Sequence, residues 1–453
     1  MTNKRDVKLW INDQLPENIT TEFASMATFE KAIDQVCLEV RRDTLEDIVQ
    51  EAARNVEPNC PTCNRPLKVV DHNRQRTVET SFGKITVTRF YGYCECCETH
   101  VAPADRRLGL HDRAKASPRI QEIAALSVLR APATEAAEDI LRLTGITMSP
   151  STLHREARRQ GERALRLRDD DELFTQSRQG IEKLSSEAPA VNDHTTMVIE
   201  IDAWNIRERD NWGQTKALEK QGKDTGRWHW VYTGTVFNLD QRATTQSNRA
   251  VISERGYVAT RKGIESFRSQ LYAEALRRGM SQAKTVLILA DGAVWIWNIA
   301  DDRFGEAKQR LDLYHAQQHL WALAGELYGR GTEEAEAWVR PYLNWLKNRK
   351  DGAQDMIESL EGLQEKLEGF TEKQTAVLTR EINYFRNHQH RMDYKTGKKQ
   401  GEPIGSGAIE STCAQYQRRF KLTGQFWTLE GDEAFLALST LHRNGRWGNL
   451  FPE

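Results

Sequence analysis

Thr285-Val286-Leu287-Ile288-Leu289-Ala290-Asp291-Gly292 decides how this chain is read. Six uncharged, mostly aliphatic residues closed by an acid and a glycine have the pattern of a strand buried on both faces of an α/β sheet. Upstream, Met197, Ile199 and Ile201 alternate up to Asp202, Trp228 to Phe237 is a β-branched and aromatic run, and Gly256 to Thr260 is a short third run. Between them and the buried strand, Ile264, Phe267, Leu271 and Ala275 share a helical face that Gly279 brings to a stop. Three strands, a helix and a buried central strand form the order of an RNase H-like α/β core.

Downstream, helical spacing takes over from about Thr332 to Gln400. Trp338, Tyr342 and Trp345 form one stripe, Met356, Leu360, Leu363 and Leu367 a second, and Val377, Ile382 and Phe385 a third. The strand-and-helix pattern resumes only at Pro403-Ile-Gly-Ser-Gly-Ala-Ile-Glu410, so the core is expected in two parts, 193–331 and 403–453, around an all-α insertion at 332–402.

Upstream of the core, three segments are expected: an N-terminal helical region (1–58), a zinc ribbon (59–113) and a helix-turn-helix region (114–184). Phe29, Ile33, Val36, Val40, Ile48 and Ala52 recur at helical spacing, as one helix or a pair, and suit a packing or dimerising element. Cys60-Pro-Thr-Cys63 and Cys94-Glu-Cys96-Cys97 flank an alternating hairpin, Thr77 to Phe82 and Ile85 to Tyr91 about the turn Gly83-Lys84. Two such knuckles bring four thiolates to one tetrahedral zinc ion. Cys96 and His100 are also within reach; Cys94 and Cys97 are preferred because they repeat the spacing of Cys60 and Cys63.

In the third segment Thr134 is placed to cap a first helix through Leu143. Gly145 supplies the turn, and Ser149-Pro150-Ser151 starts a second helix carrying Arg155, Arg158, Arg159, Arg163, Arg166 and Arg168. Such an excess of arginine suits DNA phosphates and guanine edges, although a run of charge is as often a solvated face.

The bulk composition neither adds a nucleic-acid signal nor removes one. Of 453 residues, Lys plus Arg number 64 and Asp plus Glu 65, so any electrostatic argument must be local. Clustering of six of the seven cysteines before residue 100 favours metal over disulfides in a reducing compartment. No apolar run approaches the roughly 20 residues of a membrane span, and Met1 to Gln14 has no apolar stretch of a signal peptide. These features suggest a soluble, cytoplasmic protein with no membrane partner.

Asp202 and Asp291 each end a strand, and Gly405-Ser406-Gly407 makes a tight helix entrance with Glu410 in the first turn. Alone, each acid is an ordinary turn, cap or helix-start residue. Together they are the oxygen ligands that two Mg²⁺ or Mn²⁺ ions, about 3.5–4 Å apart, require for phosphoryl chemistry. Glu402 and Asp301 are nearby carboxylates outside this set.

The stretches Ile201-Asp202-Ala203, Leu289-Ala290-Asp291-Gly292-Ala293 and Ile404-Gly-Ser-Gly-Ala-Ile-Glu410-Ser411 resemble the three catalytic blocks of DDE transposases. The nearest likeness is to bacterial insertion-sequence transposases related to the Mutator-like superfamily, in the Kra-type branch. Asp312-Leu-Tyr-His315 resembles an accessory block of that group, and Ala203 departs from the glycine common after the first Asp. The resemblance covers roughly Thr195 to Thr423. It implies strand cleavage at element ends and attack of the freed 3′-hydroxyl on target DNA, with Asp202, Asp291 and Glu410 as magnesium ligands and a homodimer or higher homo-oligomer on DNA. It leaves His315 either positioning a DNA phosphate or stabilising the fold beside Asp291.

Arg418, Arg419 and Lys421 beyond Glu410, with Arg386, His388, His390, Arg391, Lys395, Lys398 and Lys399 before the turn, are expected near DNA phosphates. Trp295, Trp297 and Trp321 suit either base stacking or the core. Two other functions fit similar features. One is an RNase H-like nuclease or resolvase without strand joining; the other is a catalytically inactive DNA-binding regulator.

Overall fold

A computed structural model describes residues 11, 13–15, 25–110, 114–211, 213–223, 225–247, 250–365 and 369–452. Most of the chain before Ser25, and Leu367 of the expected insertion stripe, lie outside them. The chain folds as two compact units, one up to Gln160 and one from Gly161 on.

In the first unit, Ser25 caps a single long helix, α1 (Met26–Arg54), so the helix-pair alternative does not hold. Strands β1 (Lys68–Thr80), β2 (Gly83–Cys94) and β3 (Thr99–Val101) form an antiparallel sheet in that order. The β1–β2 turn is Ser81-Phe82 rather than Gly83-Lys84, because Gly83 already pairs with Thr80 and opens β2 at a φ of 108°. The strands outrun the expected hairpin. Apart from Val69 and Val70, Lys68 to Arg76 is polar, and it is almost wholly exposed, so no alternation marks it as strand.

Ala53 of α1 packs with Val78, Ile85 and Val87 of the hairpin and with Ala104 of the short helix α2 (Pro103–Arg107). Asp105 of α2 accepts from Arg76 and Arg89 of the hairpin, each at 2.6 Å. The expected N-terminal and zinc segments therefore share one unit with the helix-turn-helix segment up to Gln160, and the rest of that segment belongs to the second unit. Ser117 caps α3 (Pro118–Arg130). Next, α4 (Ala133–Thr144) starts after Pro132 with no side-chain cap, so Thr134 is a helical residue and not the cap. Left-handed Gly145 ends it, at a φ of 72°. Ser149 accepts from the Thr152 amide at 3.2 Å and begins α5 (Pro150–Phe174), which outruns the expected segment to Arg168.

The second unit takes the rear of α5 and then α6 (Arg178–Ser186), whose Leu184 packs on Ala273 and Leu276. Its sheet begins with β4 (Thr196–Arg207), followed by a short α7 (Thr215–Lys220), β5 (Trp228–Asn238), a ribbon of β6 (Arg242–Thr244) and β7 (Ala250–Ile252), and β8 (Gly256–Thr260). After α8 (Ile264–Arg277) come β9 (Thr285–Ala290), α9 (Val294–Arg303) and β10 (Lys308–Leu311). The sheet order is β10-β9-β4-β5-β8. Strands β4, β5 and β8 run antiparallel to their neighbours within the trio, while β9 and β10 are parallel to β4. This is a mixed sheet in an α/β unit. The sequence reading did not include β6, β7 or β10, which are only three or four residues long.

Helices α10 (Leu313–Tyr328), α11 (Glu333–Asn348), α12 (Gly352–Gln364), α13 (Glu372–His388) and α14 (Tyr394–Lys399) fill the expected insertion and its approach. They do not make a separate core. Val339, Tyr342, Met356, Leu360, Ile382 and Phe385 join one buried cluster with Met197, Ile199, Ile201, Ile288 and Ala290 on a single face of the sheet. The opposite face presents Val198, Phe237 and Leu287 to Ala408 of α15 (Gly407–Phe420), and α16 (Leu429–Arg443) follows. Among the described residues no helix is long and apolar enough to cross a membrane.

Candidate carboxylate site and four-cysteine centre

Side chains alternate across a strand, so the register of β4 and β9 decides where the two aspartates go. Ile201 pairs in parallel with Ala290, which sets Asp202 and Asp291 at neighbouring positions beyond the last pair. Asp291 follows the end of β9 as expected, but Asp202 does not end β4, which continues to Arg207 because β5 pairs with it that far. The Ile201 and Ala290 side chains join the core under the helices, so the next residue on each strand turns to the α15 face. Glu410 lies in the first turn of α15. Burial pushes the Asp202 carboxyl above its ordinary value; the Ala203 amide opposes this, and the charges of Asp291 and then Glu410 add to it. The fold therefore brings together all three acids singled out in the sequence. Asp202 and Asp291 each accept a nearby backbone amide, from Ala203 at 2.7 Å and Ala293 at 2.9 Å.

Several residues of this site escaped the sequence reading. Glu200 is 1% exposed on the α15 face of β4 and accepts from the Ile409 amide at 2.8 Å. Burial pushes its carboxyl up to about 8. Its signal was a lone acid in Met197-Val-Ile-Glu-Ile201, two residues before Asp202 and so on the same face. Cys413 puts its Sγ 3.7 Å from Asp202. From the helices, Tyr384 sets its hydroxyl against Gly292, where a Cβ would come within 2.5 Å of it. Its ring stacks on His319 at 3.7 Å, and His319 bonds Glu381 at 2.6 Å. A stripe of apolar residues gave no hint of this polar seam.

Asp312 is buried and caps α10 by accepting from the His315 amide at 2.7 Å. The His315 ring is half-buried, 5.6 Å from that of His319, so it lies in the polar seam and not in the apolar core.

Part of the expected basic arm is engaged within the protein. Arg386 pairs with Glu361, Arg391 covers Trp297 at 4.4 Å, and buried His388 is pushed down to about 4 by burial and then by Arg391. Lys395, Lys398 and Lys399 are exposed. Arg418 is exposed too, whereas Arg419 lies 5.4 Å over Trp427 and Lys421 5.4 Å over Trp204. Trp297 is buried and Trp295 packs edge-on to Tyr232 at 5.1 Å, which makes both core residues; Trp321 is 42% exposed. Glu402 is a buried partner of Arg310 at 2.7 Å and Lys308 at 3.0 Å, unlike the exposed Asp301.

On α5, Arg155 and Arg166 are exposed. Arg159 pairs with buried Glu156 at 3.0 Å, Arg163 donates to the Leu450 carbonyl at 3.0 Å, and buried Arg168 forms an ion pair with Glu433 at 2.5 Å. The last two are structural, because the rear of α5 belongs to the second unit.

In the first unit, Cys60, Cys63, Cys94 and Cys97 bring their sulfurs within 4.8 Å of one another, the one group of three or more potential ligands this compact among the described residues. Cys63 and Cys94 are 3.5 Å apart, Cys60 and Cys97 3.9 Å. A zinc tetrahedron with bonds of about 2.3 Å has edges of about 3.8 Å, so the set fits one ion. Amides of Cys63 and Thr62 pull the Cys60 thiol down to about 6, while the hydrogen bond to Cys63, burial and the other sulfurs push Cys97 up, so the four thiols share their protons unevenly and the fit to an ion rests on the spacing. Cys96 is exposed and His100 stacks on Tyr91 at 5.8 Å, so neither belongs to the set. Asn64 and Glu98, each just after the second cysteine of a knuckle, adopt φ of 58° and 51°.

Comparison of the sequence with known protein families and with curated proteins finds no match.

Proposed function

We propose that the chain is a DNA transposase of the bacterial insertion-sequence type, with an RNase H-like catalytic core that cuts and joins DNA. The observation that carries this reading is the parallel register of β4 and β9, which sets Asp202 beside Asp291 with Glu410 arriving on the helix over the same face. The strand order, three antiparallel strands followed by two parallel to the first, supports the RNase H-like assignment.

Asp202, Asp291 and Glu410 would hold two divalent ions, which supply charge neutralisation for phosphoryl transfer. Burial chiefly raises the Asp202 carboxyl, and the charges of Asp291 and Glu410 add to it, a cost that bound cations would lessen. The exposed Arg155 at the start of α5 and Arg418 on α15 offer contacts for DNA phosphates, and the four-cysteine centre would hold a structural zinc ion.

The test is Mn²⁺- or Mg²⁺-dependent nicking of supercoiled plasmid by wild type and by Asp202→Asn, Asp291→Asn and Glu410→Gln. Each variant should lose at least roughly 1000-fold in rate, about 4 kcal/mol, with fold and DNA binding kept. Asp301→Asn is the control; Glu402→Gln is unsuitable, since it would strand buried Arg310. Near-normal cutting by all three variants would end this reading. A joined product from added 3′-hydroxyl ends separates a transposase from a nuclease or resolvase, and absence of cutting by wild type leaves the regulator.

A further inference from the structure

We infer that Glu200 and Asp312 form a two-armed clamp that fixes the entrance of α15, and with it the position of Glu410 relative to Asp202 and Asp291. The clamp itself is read from geometry; its effect on metal-dependent cutting rests on the function proposed above.

The first amides of a helix need acceptors, and Ser406 before α15 provides no side-chain cap. Two carboxylates distant in sequence replace it. The Ile409 amide donates to Glu200 Oε2 at 2.8 Å and the Ser406 amide to Asp312 Oδ2 at 2.5 Å. Glu200 belongs to the strand of Asp202 and lies on the same face. Asp312 is tied to the strand of Asp291: its own amide donates to the Ala290 carbonyl at 2.7 Å. The chain runs close here as well. The Leu313 amide donates to the Ile404 carbonyl at 3.0 Å, and a Cβ on Gly405 would meet the Tyr314 ring at 3.1 Å.

Each arm thus joins the turn that carries Glu410 to one of the two strands that position an aspartate. A buried acid between Val198 and the apolar underside of α15 is costly to maintain for packing alone, where valine would serve. Glu200 and Asp312 are positioning residues, since both are occupied by backbone amides.

The chemistry of the arms selects the variants. Glu200→Gln keeps a carbonyl acceptor for Ile409, whereas Glu200→Met keeps length and loses it. Asp312 serves two amides with two oxygens, and Asp312→Asn retains only one acceptor. In the full-length chain, hydrogen exchange of the Ser406 to Glu410 amides should speed up by about tenfold in Glu200→Met and Asp312→Asn, the size of one missing hydrogen bond. Glu200→Gln should stay near wild type. The Mn²⁺ concentration for half-maximal plasmid nicking should rise about tenfold in the first two variants while the saturated rate changes less.

Exchange at Ser406 to Glu410 unchanged in both Glu200→Met and Asp312→Asn would overturn the clamp, and so would wild-type Mn²⁺ dependence in folded variants. If Glu200→Met does not fold, Asp312→Asn against Glu200→Gln carries the comparison. Wild type that neither nicks DNA nor binds Mn²⁺ would overturn the transposase reading instead, and the exchange result would then decide the clamp by itself.

Discussion

Replacing Asp432 with Asn should change how the stability of the second unit depends on pH. Asp432 is fully buried in the first turn of α16, and no donor reaches either of its oxygens. Around it, Glu208 is held by Arg261 at 2.9 Å and by His229 at 3.3 Å, and Glu433 by Thr260 and the Arg261 amide, each at 2.6 Å, with Arg168 at 2.5 Å. The nearby cations are thus engaged by the two glutamates. A helix start favours negative charge by only about 0.3–1 kcal/mol, far less than burial of an unpaired carboxylate costs.

Burial, followed by Glu208, pushes the Asp432 carboxyl up to about 9, and a hydrogen bond between the two acids exists only while one holds a proton. The unfolded value is about 3.9. Between these limits the folded chain binds one more proton than the unfolded chain, so stability falls as pH rises, by up to about 1.4 kcal/mol per pH unit. The contribution is complete below the unfolded value and is lost as pH climbs to the folded one. Asn cannot titrate, and it carries a donor for Glu208. Asp432→Asn should therefore match wild type near pH 4 and exceed it increasingly toward pH 8, by roughly 4 kcal/mol over three pH units if one full proton is involved. Urea unfolding followed by tryptophan fluorescence at several pH values gives the difference. Two curves separated by a constant amount would refute the argument, because they would show that Asp432 is ionised in the folded chain.

Other expectations follow from the first unit. Purified protein should contain one zinc ion per chain, and Cys60→Ser should lose it and unfold the ribbon while the second unit stays folded, since structural zinc contributes roughly 10–16 kcal/mol to small modules; elemental analysis and circular dichroism report both. Glu98→Gly should stabilise that unit by up to about 1 kcal/mol in thermal unfolding, because a left-handed residue with a Cβ is strained and glutamate has no local compensation; Asn64→Gly should gain less, as asparagine tolerates that conformation. Replacing Arg155, Arg158 and Arg159 with Ala should flatten the salt dependence of DNA binding by about 0.9 in log–log slope for each phosphate no longer neutralised, and an unchanged slope would remove α5 from the interface.

The second unit shows why some elements could be read in advance and others not. Thr285 to Ala290 is legible because a strand covered on both faces excludes charge, and Met197, Ile199 and Ile201 because a half-covered strand alternates. Strand β10 was not: Lys308-Gln-Arg-Leu311 is polar, and it is a strand because β9 offers it a parallel edge. The insertion helices announced themselves by period, but the period is silent about their partner, which is the sheet itself. The arginines of α5 illustrate the opposite error. Six looked alike in sequence, and burial separated Arg168 from Arg155 because the rear of the helix packs into the core of the second unit.

By itself the sequence determined which residue types stand where along the chain: two paired cysteine knuckles, an acid after each of two strand-forming runs, and a third acid after a glycine turn. Local spacing is enough for that, since period, caps and CxxC gaps act over a few residues. What only the tertiary structure decided is proximity. The β4–β9 register places Asp202 beside Asp291, folding selects Cys94 and Cys97 over Cys96 and His100, and the amides at the start of α15 find Glu200 and Asp312 from 209 and 94 residues away. Such pairings depend on which face of a sheet a helix covers, and no short stretch of sequence carries that information.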